Sequence, residues 1–248
     1  MDGSGAWADG PMYDEVARAT SDRGEVVLRR RRGDAVLELR VNGVFVMDSH
    51  QTVTEEALAE AALARHRAPS AVLLGGLGLG YTLGAVLSDN RVRQVTAVEV
   101  EDAVVGWFRD GTVPHGPALL ADDRLHVVTT DVRLALAEAI AATYDLVLLD
   151  VDNGPGFLVY DDNRAVYGTA LMRSVWRTLR PGGLVAVWSA DEAPALHDVL
   201  RTVFTSATAH PIPVRLQGRD ERYWLYLAVR PEAPERTRTR RIDDGAGG

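Results

Sequence analysis

The sequence contains no lysine and no cysteine among its 248 residues, so all 27 basic residues are arginine. The absence of lysine excludes a Schiff-base lysine and the lysine of a P-loop. The absence of cysteine excludes thiolate catalysis, cysteine-bound zinc and a disulfide framework, although it does not by itself fix the compartment.

Long hydrophobic runs and an excess of positive charge are also missing. No apolar run approaches the roughly 18 to 20 residues that span a bilayer, and the N-terminus lacks the pattern of a secretory signal. Thirty-five acidic residues give a formal net charge of −8, which argues against a broad nucleic-acid surface. We therefore expect a cytoplasmic protein that acts on a small molecule and binds neither nucleic acid nor membranes.

The N-terminal part of the chain has the pattern of a β-meander. Gly33-Asp34 and Asn42-Gly43 are typical two-residue hairpin loops, and they separate three apolar stretches between residues 25 and 47. The arginines at 29–32 can mark a phosphate or nucleic-acid patch, but the net charge favours a solvated hairpin end. We predict a flexible segment 1–12 followed by a β-meander region 13–53.

The rest of the chain alternates helical and apolar segments. Thr54, followed by Glu55 and Glu56, predicts the N-cap of a helix that continues to about Arg67. Beyond it, buried parallel strands are indicated by five continuous apolar runs, at 71–74, 95–98, 125–128, 146–149 and 184–188. A closing antiparallel pair is indicated at 211–216 and 223–229. These segments predict an α/β domain at 54–230, followed by a disordered tail at 231–248.

A glycine-rich turn follows the first parallel strand. Its sequence is Gly75-Gly76-Leu77-Gly78-Leu79-Gly80, which permits a tight turn and the close approach of a ligand to the main chain. Glu99 ends the second strand 23 residues after Gly76, a position suited to accepting hydrogen bonds from ribose hydroxyls. The alternatives are a turn that only links strand to helix, and a helix-capping glutamate, a role that fits Glu101 better.

Two further acids follow the third and fourth strands. Because carboxyl ends of parallel strands share one edge, Asp131 and Asp150 are expected to converge with Glu99 on one crevice. Asp131 can also be a helix N-cap. The loop after Asp150 does not fit an EF-hand, and a magnesium site on Asp150, Asp152 and Asn153 stays an open alternative. The six histidines show no metal-ligand spacing, so we predict no metal site.

Taken in order, these features resemble the spermidine synthase family, a branch of the class I S-adenosylmethionine-dependent methyltransferase fold. The resemblance covers roughly residues 25 to 230. It depends on the glycine loop, Val-Glu-Val-Glu, Asp-Asp-Arg-Leu-His-Val-Val, Tyr-Asp-Leu-Val-Leu-Leu-Asp and Leu-Arg-Pro-Gly-Gly. It implies a Rossmann-like α/β sheet with a small N-terminal antiparallel β-meander, and a homodimer with the meander at its interface.

The resemblance also implies which residues hold the cofactor, S-adenosylmethionine or its decarboxylated form. The implied cofactor-binding residues are Gly76, Gly78, Gly80, Glu99, Asp131 and Asp150. Glu99 would hold the ribose hydroxyls and Asp131 would receive the adenine amino group. Asp150 would lie beside the sulfonium and the nucleophile. We take Asp150 and Asp152 as the candidate catalytic residues, acting either as base or through their charge.

The sequence departs from the aminopropyltransferases of this family at three places. Those enzymes usually carry an Asp in the glycine loop, where this chain has Gly78. Their fourth strand usually ends in Asp-x-x-Asp-Pro, whereas here the acids are Asp150 and Asp152. They also carry a Tyr-His pair before the first parallel strand, and segment 51–62 contains neither residue. All three changes fall on the polyamine side of the site.

These departures favour an S-adenosylmethionine-dependent methyltransferase that acts on a small-molecule acceptor. The first alternative is a divergent aminopropyltransferase that makes a polyamine from decarboxylated S-adenosylmethionine, with a related 3-amino-3-carboxypropyl transfer behind it. The second alternative is a non-catalytic binding protein that keeps the fold. The acceptor itself cannot be read from the sequence.

Overall fold

The computed structural model describes residues 12–151, 154–155, 158, 161–204, 206–216 and 219–232. Within them an antiparallel N-terminal sheet has the order β1-β2-β3-β4. Its strands are β1 (Tyr13–Ser21), β2 (Gly24–Arg31), β3 (Leu37–Val41) and β4 (Val44–Asp48). The prediction of three strands was wrong, because β1 is an additional edge strand. Its residues are exposed or half-buried without a clean apolar alternation, so no strand is predicted there from the sequence pattern.

Ion pairs account for most of the arginine run at the end of β2. Arg29 pairs with Glu38 of β3, and Arg32 pairs with Asp14 of β1. Arg31 pairs with the nearby Asp34. The run therefore meets carboxylates of its own sheet, as expected of a hairpin end in an acidic protein.

The second sheet has the order β10-β11-β9-β8-β5-β6-β7 in the described part of the chain. Strands β5 to β9 are parallel, and β11 is antiparallel to both β9 and β10. The strands are β5 (Ala71–Gly75), β6 (Gln94–Glu99), β7 (Leu125–Thr129), β8 (Tyr144–Leu149), β9 (Leu179–Ser189), β10 (Ala207–Leu216) and β11 (Arg219–Val229). This order confirms the predicted Rossmann-like class I methyltransferase sheet.

Helices cover both faces of the second sheet. They are α1 (Val53–Arg65), α2 (Tyr81–Ser88), α3 (Asp102–Arg109), α4 (Gly116–Leu120), α5 (Val132–Glu138), a 3-10 helix (Asp161–Tyr167), α6 (Thr169–Thr178) and α7 (Pro194–Phe204). No helix in the described ranges is long and apolar enough to cross a membrane.

Two details differ from the predicted helix and strand starts. Thr54 is not the N-cap of α1, because the helix begins at Val53 after Thr52, and the Thr54 hydroxyl donates to Glu55 instead. Strand β9 begins at Leu179, within the Leu-Arg-Pro-Gly-Gly segment, five residues before the predicted start at Leu184. Pairing of Leu179 with Tyr144 of β8 extends the strand backwards, which is a tertiary effect.

Successive strand residues pack into different halves of the core. Val72 and Leu74 join the cluster that contains α1, α2 and the N-terminal sheet, whereas Ala71 and Leu73 join the one that contains α6 and α7. Leu28 of the N-terminal sheet belongs to the first cluster. The small sheet and the α/β domain therefore share one continuous core at this face.

Asp145 joins three strands on the side of the sheet opposite to their carboxyl ends. Its Oδ2 atom accepts hydrogen bonds from the backbone N–H groups of Ser70 (2.9 Å) and Ala71 (2.8 Å). Arg180 of β9 donates to the same carboxylate at 2.9 Å. The side chain is buried, so these donors have little water to replace it.

Asp145→Ala is expected to lower the free energy of unfolding by about 2–4 kcal/mol, since it leaves buried backbone donors without an acceptor. Urea unfolding measures the change. Asp14→Ala is the control: it removes an exposed ion pair with Arg32, so its effect should be much smaller than that of Asp145→Ala. Equal effects of the two variants would contradict a structural function for Asp145.

Candidate active site

A cavity of about 610 Å³ lies at the carboxyl ends of β5, β6, β7 and β8, where the N-terminal sheet faces them. Its size suits a small organic ligand. Five of the residues predicted from the sequence line it: Gly76, Gly78, Glu99, Asp131 and Asp150. Gly80 is not among its lining residues, and Asp152 lies outside the residues that the structure describes.

The glycine loop is shaped by two close approaches. Gly76 has a φ of +91°, and a Cβ there would lie 1.9 Å from the carbonyl oxygen of Asp150. Gly78 has a φ of +51°, and its Cβ would lie 2.7 Å from the Sδ atom of Met47. Met47 also accepts a hydrogen bond from the backbone N–H of Leu79 at 3.2 Å. The thioether of β4 therefore fills the space into which a side chain at Gly78 would project.

Gly80 serves the helix rather than the cavity. It precedes α2 with a φ of +89°, and a Cβ there would meet the ring of Phe108 at 2.8 Å. Gly80 is thus required by packing between α2 and α3, whereas Gly76 and Gly78 line the cavity.

Glu99 is a buried acid at the end of β6 whose carboxylate supports the glycine loop. Its Oε2 atom accepts from the Leu77 N–H at 2.9 Å, and its Oε1 atom accepts from the N–H groups of Val100 and Glu101, both at 2.9 Å. Burial raises the pKa of Glu99 and these backbone donors oppose the rise. Oε2 has a second lone pair for a ligand hydroxyl.

The turn between β1 and β2 reaches the same end of the cavity. Asp22 and Arg23 line it, and the Arg23 guanidinium lies 3.4 Å from Glu101 and 3.4 Å from the carbonyl oxygen of Val100. Sequence reasoning missed both residues because β1 itself was missed. Without that strand, nothing in the pattern brought this turn towards the α/β domain.

Asp131 combines two of the roles considered for it. It is the N-cap of α5, where its Oδ1 accepts from the Arg133 N–H at 2.7 Å, and it also forms an ion pair with the Arg133 side chain. Burial alone would raise the pKa of Asp131, but the hydrogen bonds from Arg133 outweigh it and lower the pKa. Asp131 therefore stays ionised at the cavity wall.

Asp150 follows β8 at the back of the cavity. In the described residues its carboxylate has one hydrogen-bond donor, the Thr82 hydroxyl of α2, at 2.8 Å from Oδ2. Burial raises the pKa of Asp150 to about 6, although the bond from Thr82 opposes the rise. A second acid, Glu55 of α1, lines the same cavity.

Glu55 was predicted only as an acid that favours the start of a helix. It is instead buried, and its Oε2 accepts from the Thr54 hydroxyl at 2.8 Å. Burial, together with the charge of Asp150, raises the pKa of Glu55 to about 7. A signal was present: Glu55 precedes the buried Leu58 and Ala59 by three and four residues, which places it on the apolar face.

A metal site finds no support in the described part of the chain. No group of three or more His, Asp or Glu side chains there is arranged to hold a metal ion. The magnesium alternative depended on Asp152 and Asn153 beside Asp150, and those two residues are outside the described ranges.

The raised pKa of Glu55 predicts a pH-dependent stability. Its folded pKa of about 7 lies above the ordinary value of 4.5, so the folded state binds the extra proton between these values. The free energy of unfolding should therefore fall as pH rises through this range, by up to about 3 kcal/mol. Glu55→Gln should remove the part of this fall that comes from Glu55, so the variant should gain stability relative to the parent as pH rises from 5 to 8, while the contribution of Asp150 remains.

Urea unfolding at pH 5 and pH 8 measures the effect, with Glu56→Gln as the matched control. Glu56 is exposed on the same helical turn, so its replacement should leave the difference between the two pH values unchanged. A parent and a Glu55→Gln variant with the same pH dependence would contradict the raised pKa.

Comparison with known proteins identifies relatives for this fold and site. No known family profile matches the sequence. The chain is 31% identical over 174 residues to polyamine aminopropyltransferase 2 of Pseudomonas aeruginosa, covering 66% of this chain and 48% of that protein. It is 29% identical over 119 residues to putrescine N-methyltransferase 3 of Nicotiana tabacum, covering 47% and 29%. The chain thus spans about half the length of the first relative and under a third of the second.

Solved structures show the same architecture. A spermidine synthase in complex with the transition-state analogue AdoDATO superposes with a TM-score of 0.75 at 15% identity, over 89% of this chain and 75% of that one. The spermidine synthase of Thermotoga maritima gives a TM-score of 0.74, also at 15% identity, over 89% and 74%. These likenesses concern the fold, and the sequence relatives are transferases. Together, the sheet order, the glycine loop and these relatives show that the chain belongs to the spermidine synthase-like family.

Proposed function

We propose that this chain binds S-adenosylmethionine in the cavity and transfers its methyl group to a small-molecule acceptor. The observation that carries the choice of donor is the pair Gly78 and Met47. Where aminopropyltransferases of the family usually have an aspartate, this loop has no side chain, and a neutral thioether fills the space. The amine of a decarboxylated donor therefore meets no acid there, and the carboxylate of the intact donor is not repelled.

The nucleoside end of the cavity supports the same donor. Glu99 has a spare lone pair beside the loop, suited to a ribose hydroxyl. Asp131 stays charged at the end of β7, where a ligand N–H group can donate to it. These residues, with Gly76 and Gly78, are the proposed binding set, while Gly80 acts through the position of α2.

The catalytic contribution of the chain is orientation and charge. An S-adenosylmethionine donor supplies an activated methyl group, so the protein has to hold the acceptor in line and exclude water. Asp150 lies in the wall of the cavity with one hydroxyl partner in the described residues, which leaves its second oxygen for the acceptor. Asp152 is proposed with it from the sequence alone.

Aminopropyl transfer is the second candidate, favoured by the 31% identity to the Pseudomonas aminopropyltransferase. It uses the same cavity and the same acids and differs in the donor. Variants of the glycine loop can therefore distinguish methyl transfer from aminopropyl transfer, whereas variants of Glu99 or Asp150 cannot.

The donor is tested by calorimetry with intact and decarboxylated S-adenosylmethionine. We expect the intact donor to bind at least roughly tenfold more tightly, a difference of about 1.4 kcal/mol. Mass spectrometry of putrescine and other small amines incubated with either donor then distinguishes an added methyl from an added aminopropyl group. Tighter binding of the decarboxylated donor, or an aminopropylated product, would reject the methyltransferase.

Variants in the loop extend this test. Met47→Ala frees the space beside Gly78, and Gly78→Asp in that background supplies an acid in a backbone conformation that Asp tolerates. The double variant should shift preference towards the decarboxylated donor, while Met47→Ala alone should not.

Glu99→Gln should weaken the binding of S-adenosylhomocysteine about 10- to 100-fold, or about 1.5–3 kcal/mol, as expected for hydrogen bonds to a charged group. Calorimetry measures it, with Asp102→Asn as control because Asp102 is exposed in the first turn of α3, three residues further along. Unchanged affinity in Glu99→Gln would remove Glu99 from the binding site.

A further inference from the structure

Two acids of the cavity lack, in the described residues, the arginine partners that Glu38 and Asp145 have. Glu38 is paired with Arg29 and Arg40, and Asp145 with Arg180. In the described ranges, the carboxylates of Glu55 and Asp150 instead receive one hydroxyl bond each. Burying carboxylates without a cation or several donors is unfavourable, so this arrangement is unlike the structural ion pairs elsewhere.

Three elements bring these acids to one place. Glu55 comes from the first turn of α1, Asp150 follows β8, and Thr82 of α2 lies between them. The Thr82 hydroxyl donates to Asp150 at 2.8 Å and lies 3.4 Å from the backbone carbonyl oxygen of Glu55. A single hydroxyl hydrogen can serve one of them, so it is committed to Asp150 at the shorter distance. Thr82 therefore places the backbone of Glu55 beside the carboxylate of Asp150, and both acidic residues line the cavity.

The groups that surround Glu55 supply no positive charge. Asp48 of β4 and Asp150 both raise the pKa of Glu55 through their negative charge. Tyr81 of α2 and Tyr223 of β11 are close enough for Glu55 to raise their pKa values. None of these groups is basic, so an ammonium ligand beside Glu55 would meet only acidic or neutral groups among them.

An independent observation points to a ligand in the same cavity. Trp188 of β9 lines it with 7% of its surface exposed, and its Nε1–H group has no acceptor in the described part of the chain. A buried N–H without a partner costs about 1–3 kcal/mol. Since Trp188 lines the same cavity as Glu55 and Asp150, its unpaired donor indicates a polar ligand that offers a hydrogen-bond acceptor.

We propose that Glu55 is the acceptor-side catalytic base, which takes a proton from an acceptor ammonium held between Glu55 and Asp150. The inference rests on the proposed function for its transfer step. Glu55 belongs to α1, so the proposal adds it to a site whose other proposed acids all lie at the ends of strands. The aminopropyltransferases of the family usually carry a Tyr-His pair in this segment, so a glutamate would supply the base from a different residue type.

The proton and electrons balance as follows. The acceptor R–NH₃⁺ gives one proton to the Glu55 carboxylate and becomes R–NH₂. The nitrogen lone pair forms the new C–N bond while the C–S bond of the donor breaks, with its electron pair going to sulfur. The product leaves as R–NH₂⁺–CH₃, and Glu55 releases its proton to solvent. Asp150 stays charged through the cycle and holds the ammonium.

The Glu55 side chain suits this step better than Asp150. A general base works best with a pKa near the working pH, and burial together with the charge of Asp150 raises the pKa of Glu55 to about 7. Asp150 accepts from the Thr82 hydroxyl of another element, whereas the hydroxyl that donates to Glu55 is that of its neighbour Thr54. Protonation of Glu55 therefore leaves the bond between Thr82 and Asp150 in place.

Kinetics of Glu55→Gln test the proposal, with Glu56→Gln as the matched control on the exposed side of the same turn. Glu55→Gln should lower kcat for methyl transfer to an amine about 100-fold or more. It should also remove the rise of kcat/KM with pH around pH 7. The affinity for S-adenosylhomocysteine should stay within about twofold of the parent, because Glu55 is placed on the acceptor side.

An unchanged rate and pH profile in Glu55→Gln would overturn the proposal, as would a loss of S-adenosylhomocysteine binding that matches the loss of rate. Glu56→Gln should behave as the parent in every measurement. A glutamate that only stabilised α1 would change the amount of folded protein, but not the shape of the pH profile.

A binding measurement keeps this inference separate from the proposed function. 1,4-Diaminobutane is titrated into the S-adenosylhomocysteine complex by calorimetry, in buffers of different ionisation enthalpy. The parent and Glu56→Gln should bind the diamine, and the number of protons taken up or released on binding should change around pH 7. Glu55→Gln should bind the diamine at least tenfold more weakly, and its proton uptake or release should not change around pH 7. If these binding results are obtained but the parent transfers no methyl group, the proposed function is rejected and the role of Glu55 in binding the amine is kept. A parent that does not bind the diamine, or equal binding by Glu55→Gln, would reject Glu55.

Discussion

The close approach of Gly76 to the backbone of Asp150 is the contact on which the cavity depends. A side chain at Gly76 would meet the Asp150 carbonyl oxygen at 1.9 Å, so the ends of β5 and β8 can come this close only at a glycine. Backbone bonds complete the edge: Gly76 N–H donates to Val98 of β6, and Asp150 N–H donates to Gly75. Glu99 and Asp150 project from this fixed edge, which explains why both reach one ligand-sized space.

The N-terminal sheet is part of the site rather than an appendage to it. Met47 fixes the glycine loop by accepting a hydrogen bond from the Leu79 N–H, and Arg23 lines the cavity near Glu101. The buried face of the small sheet packs in the same core as α1 and α2. A change in this sheet is therefore expected to act on the glycine loop directly.

The distribution of charge separates structure from chemistry. With no lysine in the chain, arginine balances the buried acids that hold the fold together, as at Glu38 and Asp145. Glu99 is held by backbone donors, and Asp131 by Arg133. Glu55 and Asp150 have no arginine partner in the described residues, and burial raises the pKa of both carboxyl groups, a pattern characteristic of functional sites. This uneven distribution of charge is the basis of the proposal that the acceptor is a small cation.

The sequence by itself determined the parallel sheet, the glycine loop and the acids at the strand ends. These depend on local patterns: continuous apolar runs, glycines at a tight turn, and single residues that follow each strand. Only the tertiary structure decided that Met47, Arg23 and Glu55 face the same cavity. Each lies more than 20 residues from the loop or strand end that it approaches, and its position follows from how the small sheet and α1 pack on the α/β core. Local patterns fix which residues end a strand, whereas long-range packing fixes which other side chains meet them.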